Sequence, residues 1–132
     1  MTRVTMLVLA ITLLWTTVPA MAVDDSKRTC TLTRAYECAN DAGCKEWSME
    51  EMSLPRFVQI DIKEKSIKSL DRNMPRDATK VEAVERLEEM LVMHGTEQRG
   101  WTMVVGNDSG ALTLTAAGDG EGFVVFGFCM NP

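Results

Sequence analysis

Two groups of residues in this chain have the types and spacing to bind an ion or a phosphate. The first is Gly118-Asp119-Gly120-Glu121-Gly122-Phe123, where glycines alternate with carboxylates ahead of the apolar run Val124 to Cys129. A phosphate cradle sets its glycines at the start of a helix, because the helix N-terminus holds the anion. Here a β-rich run follows instead. Calcium takes about six or more oxygens; Asp119 and Glu121 offer two carboxylates, with Asp108 a third across the meander. The simplest reading is a hairpin turn in which glycine supplies positive φ and the acids keep the tip soluble.

The second group is thioether. Met49 and Met52 are three apart, as are Met90 and Met93, and His94 follows the latter. Soft thioether with imidazole suits Cu(I), although the same spacing serves adaptable core filling. No cofactor is expected. Met90, Met93, His94, Asp119 and Glu121 are the residues that would carry a metal. Carboxylate pairs such as Asp61 with Glu64, or Glu88 with Glu89, are what any solvated acidic face provides. The single histidine has no serine elbow beside it, so no catalytic residue is assigned and no enzyme is expected.

The four cysteines are Cys30, Cys38, Cys44 and Cys129. None has the two-residue spacing of a zinc knuckle. An even count in a short exported chain reads as two disulfides. Three pairings are open, and the sequence does not choose among them. The expectation carried forward joins Cys38 to Cys44 in a small loop and Cys30 to Cys129 across the chain ends.

Export is read from the first residues. Arg3 gives a positive start, Val4 to Val18 an apolar stretch, and Ala20-x-Ala22 a small-residue cleavage pattern, so residues 1–22 read as a signal peptide. The apolar stretch is shorter than the ~20 residues of a membrane span and closes at Pro19. What remains is one small domain, Val23 to Pro132. The chain carries 19 acidic against 14 basic residues, a formal charge of −5. That balance excludes a nucleic-acid surface and gives no reason to expect adhesion to anionic lipid.

These groups must be positioned by the elements between them. Residues 23–56 read as a polar, irregular, cysteine-bearing segment with turn chemistry at Asn40 to Gly43. Ser48 and Glu51 form a capping box for one helical turn that Leu54-Pro55 ends. Residues 57–132 read as an antiparallel β domain. "FVQIDI" sets Val58, Ile60 and Ile62 on one face, and "IKSL" returns as a short strand. "WTMVV" and "ALTLTA" alternate likewise, while "FVVFGFC", apolar on both sides, reads as a central or fully covered strand. The segment 80–94 is ambiguous: Val81, Val84, Leu87 and Leu91 recur at helical spacing, but two strands joined at "ERLEE" fit as well. Trp101, Trp47, Tyr36 and the four phenylalanines read as core, or as the lining of an apolar pocket in a small barrel.

The segments "CTLTRAYEC", "LPRFVQIDI", "WTMVV", "GALTLT" and "GDGEGFVVFGFC" together resemble a group of small exported proteins of Gram-negative bacteria whose function is uncharacterised. The resemblance implies an exported, β-rich, disulfide-bearing domain, with a hairpin where 80–94 stands, and offers no catalytic residue. The expected fold is mainly β: a small antiparallel meander, open or partly closed into a barrel, with a disulfide-tied N-terminal segment. The expected function is an exported, non-enzymatic binding or interaction module of the bacterial envelope, periplasmic or secreted. Its partner would be a protein or a small apolar ligand. The alternatives are a small-molecule or lipid carrier with an apolar β pocket, and a copper- or calcium-binding protein.

Overall fold

The computed structural model describes residues 25–130, so the expected leader over 1–22 lies outside the described residues. Ten strands follow in chain order: β1 Lys27–Ala39, β2 Gly43–Trp47, β3 Phe57–Asp61, β4 Ser66–Ser69, β5 Thr79–Lys80, β6 Ala83–Arg86, β7 Met90–Gly95, β8 Gly100–Gly106, β9 Ala111–Ala117 and β10 Glu121–Cys129. Every pairing is antiparallel. The order across the sheet is β5-β4-β3-β1-β10-β9-β8-β7-β6, with β2 added to β1. The mainly-β antiparallel architecture expected from the alternating segments is thus the fold.

The two ends of this order lie on one stretch of chain. Val81 N–H donates to Lys65 O beside β4, and Glu82 N–H donates to His94 O on β7, each at 2.9 Å. The sheet therefore curls into a half-closed barrel, with the joint Val81-Glu82 spanning β4 and β7.

Residues 27–47, expected to be irregular, form β1 and β2, and β1 is central, flanked by β3 and β2 on one side and β10 on the other. A register shift between Leu32 and Arg34 hides it from the sequence. Cys30 and Leu32 face inward before the shift and Ala35 after it. The extra residue reverses the parity, so no period of two survives along the strand.

The segment 80–94 is not a helix. It forms β5, β6 and β7, with Leu87 50% exposed at the β6–β7 tip where a helix would have buried it. The tip lacks glycine and is held from elsewhere. Asn107, on the β8–β9 turn, donates through Nδ2 to Leu87 O at 3.1 Å and Glu88 O at 3.0 Å. Its own N–H donates to Glu89 O at 2.9 Å.

Both expected disulfides are formed, Cys30–Cys129 and Cys38–Cys44. The first joins β1 to β10 where their ends are in register, inside the core. Around it lie Ile60, Val81, Leu91, Met93, Val105 and Leu112, all fully buried. The capping box is also present: Glu51 N–H donates to Ser48 Oγ, and Glu51 Oε2 accepts from Ser48 N–H. Ser48 Oγ–H also donates to Glu51 Oε2, at 2.9 Å, and the Ser48 backbone N–H first and then this hydroxyl hold the Glu51 carboxyl below the ordinary range.

Candidate ligand cleft

The core fills the barrel at the Cys30–Cys129 end and leaves a cleft of about 290 Å³ at the other. Alternation within each strand puts the lining there. β8 turns Trp101 and Met103 inward, β9 Leu114 and Ala116, and β10 Phe123 and Val125. Leu32, Val58 and Ile67 form the opposite wall, and the turn after β2 closes one side with Met52 and Leu54. The cleft interior is thus aliphatic, aromatic and thioether, and is the size of a small-molecule pocket at the lower end of the usual ~300–1,000 Å³ range.

Polar groups gather at the mouth, between the β4–β5 loop and the β7–β8 turn. The loop contributes Arg76 and Asp77, the turn Glu97, Gln98 and Arg99. Arg99 is engaged: its Nη1 donates to Glu121 Oε1 at 2.5 Å, and its guanidinium lies 4.5 Å from the Phe123 ring centre. Glu97 is engaged too, accepting from Lys80 N–H at 3.2 Å. Gln98 holds a φ of 64°, a left-handed conformation that a non-glycine residue adopts at a cost.

The glycine-rich loop builds this mouth. Asp119-Gly120 reverses the chain, with Gly118 N–H donating to Glu121 O at 2.9 Å and Gly120 at a φ of 75°. The reversal delivers Glu121 to Arg99 and Phe123 to the cleft wall. The loop is therefore the hairpin turn expected of it; beyond turning it clamps Arg99 through Glu121, and Gly120 O accepts from Asn40 N–H at 3.3 Å. Asp108 is no partner for Asp119 or Glu121. It sits at the opposite end of β9, a seven-residue strand about 20 Å long at ~3.3 Å per residue.

The thioether–imidazole group is taken apart by the strand. Met93 is fully buried in the core while His94, its neighbour on β7, points to the outer face. Spacing by three joins residues on a helix but separates them on a strand. His94 Nδ1 bonds Thr102 Oγ1 at 3.0 Å, and Nε2 lies 3.8 Å from Glu85. Met49 is buried and Met52 lines the cleft. Among the described residues no cluster of three His, Cys, Asp or Glu side chains has metal-binding geometry. Asp61 is buried, accepts from Glu64 N–H at 2.9 Å and faces Lys27 at 3.6 Å.

The aromatic residues do not form one core. Trp101 is buried and Phe123 lines the cleft, but Phe57, Phe126 and Phe128 are 51%, 41% and 50% exposed on the outer face. "FVVFGFC" is thus central but covered on one side only. Phe126 meets Tyr36 edge-on at 6.1 Å, and Thr31 pairs with both Phe57 and Phe128. Beside this stripe Arg34 and Glu46 form a two-toothed ion pair, 2.9 Å at each contact, and the bond from Arg34 holds the Glu46 carboxyl below its ordinary range.

No protein-family model, curated protein or solved structure matches this chain. Disulfides suit an extracellular or periplasmic protein, and no described helix is long and apolar enough to cross a membrane.

Proposed function

We propose that this is an exported, non-catalytic binding protein that carries a small, mainly apolar molecule in the cleft of its half-barrel. The observation that carries this is a division of labour inside one sheet. The strand ends around Cys30–Cys129 are packed to exclusion of solvent, while the other ends keep a space walled by Trp101, Met103, Leu114, Phe123 and Val125. An apolar space with a polar mouth at the end of a barrel suits capture of an amphipathic small molecule. The disulfides and the leader pattern support an exported setting, where a preformed pocket held by covalent ties suits a carrier.

A second reading is favoured by the outer stripe of Phe57, Phe126 and Phe128. Half-exposed aromatic rings in one patch mark interaction surfaces, which suits an envelope interaction module. Native mass spectrometry of protein purified from an oxidising compartment separates the two. Retained small-molecule mass that is lost in Ala116→Trp, whose indole fills the cleft, supports the carrier. Bare protein that forms a complex sensitive to Phe126→Ser/Phe128→Ser, and indifferent to Ala116→Trp, supports the interaction module and contradicts the carrier.

A further inference from the structure

Five of the six large apolar side chains that stand exposed among the described residues gather on one part of the outer face: Phe57, Leu70, Phe126, Phe128 and Met130. The strand register brings them together. Phe57 and Phe128 flank Thr31 across β3, β1 and β10, Phe126 and Met130 lie two residues either side of Phe128, and Leu70 N–H donates to Phe57 O at 2.9 Å. An uncharged surface runs on beyond them. Phe126 pairs with Thr113, Thr113 with Val104 and Val104 with Val92, and of the residues of β8, β9 and β10 only Glu121, at the cleft mouth, is charged. On the reading of this face as an interaction surface, on which the inference rests, we propose that its partner is a second copy of the chain, packed outer face to outer face about a two-fold axis.

Size and charge both favour a copy. With its five side chains between 41% and 63% exposed, the patch leaves about 450 Å² of apolar side chain in water, at ~200 Å² for a whole aromatic and somewhat less for Leu or Met. A standard interface takes about 800 Å² from each partner and a homodimer interface is about 65% apolar, so one half needs about 520 Å². The patch and the Val and Thr rows beside it supply that. A charged partner finds nothing to read here, because the margin is neutralised: Arg34 pairs with Glu46, Arg56 with Glu50 and Lys27 with Asp61. The remaining marginal charges, Lys68 and Arg72 against Asp71 and Glu85, cancel in sum. Elsewhere the net charge of −5 keeps copies apart, so an uncharged face is where two of them approach at least cost. Lipid is the poorer match. The Thr31 and Thr113 hydroxyls among the rings can find partners across a protein interface, whereas hydrocarbon would leave them unpaired. The cleft lies on the inner face of the sheet, so pairing on the outer face is independent of it.

The test is sedimentation velocity of the disulfide-bonded protein from micromolar to millimolar concentration. Wild type is expected to pass from monomer to dimer across that range. Phe128→Lys should weaken the dimer at least about tenfold, since its ammonium would be buried opposite its own copy. Phe128→Glu should do the same. Phe128 is central in the patch, so an equal mixture of the two variants should restore association to wild-type strength, as an isologous contact requires. Both variants should keep the near-UV circular dichroism of wild type, because Phe128 is half-exposed. Amide resonances of Phe57, Phe126 and Phe128 should shift on dilution of wild type while those of Trp101 and Leu114 hold, a readout that needs no variant. A wild type that stays monomeric throughout overturns the proposal; if that monomer floats with phosphatidylcholine vesicles, the face is still an interaction surface but its partner is lipid. Undiminished dimer in Phe128→Lys, or dilution shifts confined to the edge strands β2 and β6, overturns it by placing the contact elsewhere. A mixture of the two folded variants that stays monomeric overturns the two-fold arrangement.

Discussion

The two disulfides should differ in what they contribute, and the difference follows from where the chain topology puts them. Cys30–Cys129 closes a separation of 99 residues and Cys38–Cys44 one of 6. In the chain-entropy treatment a loop of that length restricts the unfolded state by about 4.7 kcal/mol, against about 2.4 kcal/mol for the short one. Replacing Cys30 and Cys129 by alanine should therefore cost about 2 kcal/mol more than replacing Cys38 and Cys44. Burial acts in the same direction. Cys30 and Cys129 are fully buried while Cys44 is exposed, so the long bond's removal also loses core contacts. The assay is equilibrium urea unfolding without reductant, with near-UV circular dichroism and tryptophan emission compared. With a urea slope of about 1–2 kcal/mol/M for a domain of this size, the midpoints of the two double variants should lie about 1–2 M apart. Equal midpoints, or a lower one for Cys38→Ala/Cys44→Ala, would refute the reasoning.

Other outcomes follow from single contacts. Asn107→Ala removes both Nδ2 bonds to the β6–β7 tip and should cost about 1–2 kcal/mol, at ~1 kcal/mol per bond, with amide exchange at residues 87–90 accelerating first. Gly127→Ala would press a Cβ against the Thr31 carbonyl on the neighbouring central strand; a loss of about 2 kcal/mol should lower the melting temperature by about 10 °C. Acid should weaken the fold through Glu46, Glu50 and Glu51, whose carboxyls are held below 4.5, Glu46 and Glu50 chiefly by hydrogen bonds from Arg34 and Arg56, and Glu51 by those from Ser48. A depressed folded value means their contribution is present above the ordinary carboxylate range and is lost as pH falls through the folded values. A melting-temperature profile should fall below pH 4.5, and Glu46→Gln/Glu50→Gln should flatten it.

Much of the sheet was legible because its strands alternate cleanly. Trp101, Met103 and Val105 on β8, and Val58, Ile60 and Ile62 on the β3 side, are inward and buried as their period of two requires. The central strand β1 was not legible, since the irregularity near Thr33 shifts the inward positions from even to odd. The 80–94 segment was ambiguous for another reason. Its turn contains no glycine or asparagine, and the asparagine that holds it comes from Asn107, some twenty residues later. The cleft was foreseeable only as a possibility of small barrels. Its lining comes from seven strands, the turn after β2, the β4–β5 loop and the β7–β8 turn, and the Arg99–Glu121 contact that shapes its mouth joins residues 22 apart. Spacing likewise gave no sign that Phe126 and Phe128 would face outward.

The most direct measurement is a map of amide and methyl chemical-shift changes as 1-octanol is titrated into isotopically labelled protein. A ligand in the cleft should move the resonances of Trp101, Met103, Leu114, Ala116 and Val125, leaving those around Phe57, Phe126 and Phe128 in place, and Ala116→Trp should abolish the changes. Shifts confined to the outer aromatic stripe, or changes that persist undiminished in Ala116→Trp, would contradict the cleft as the binding site.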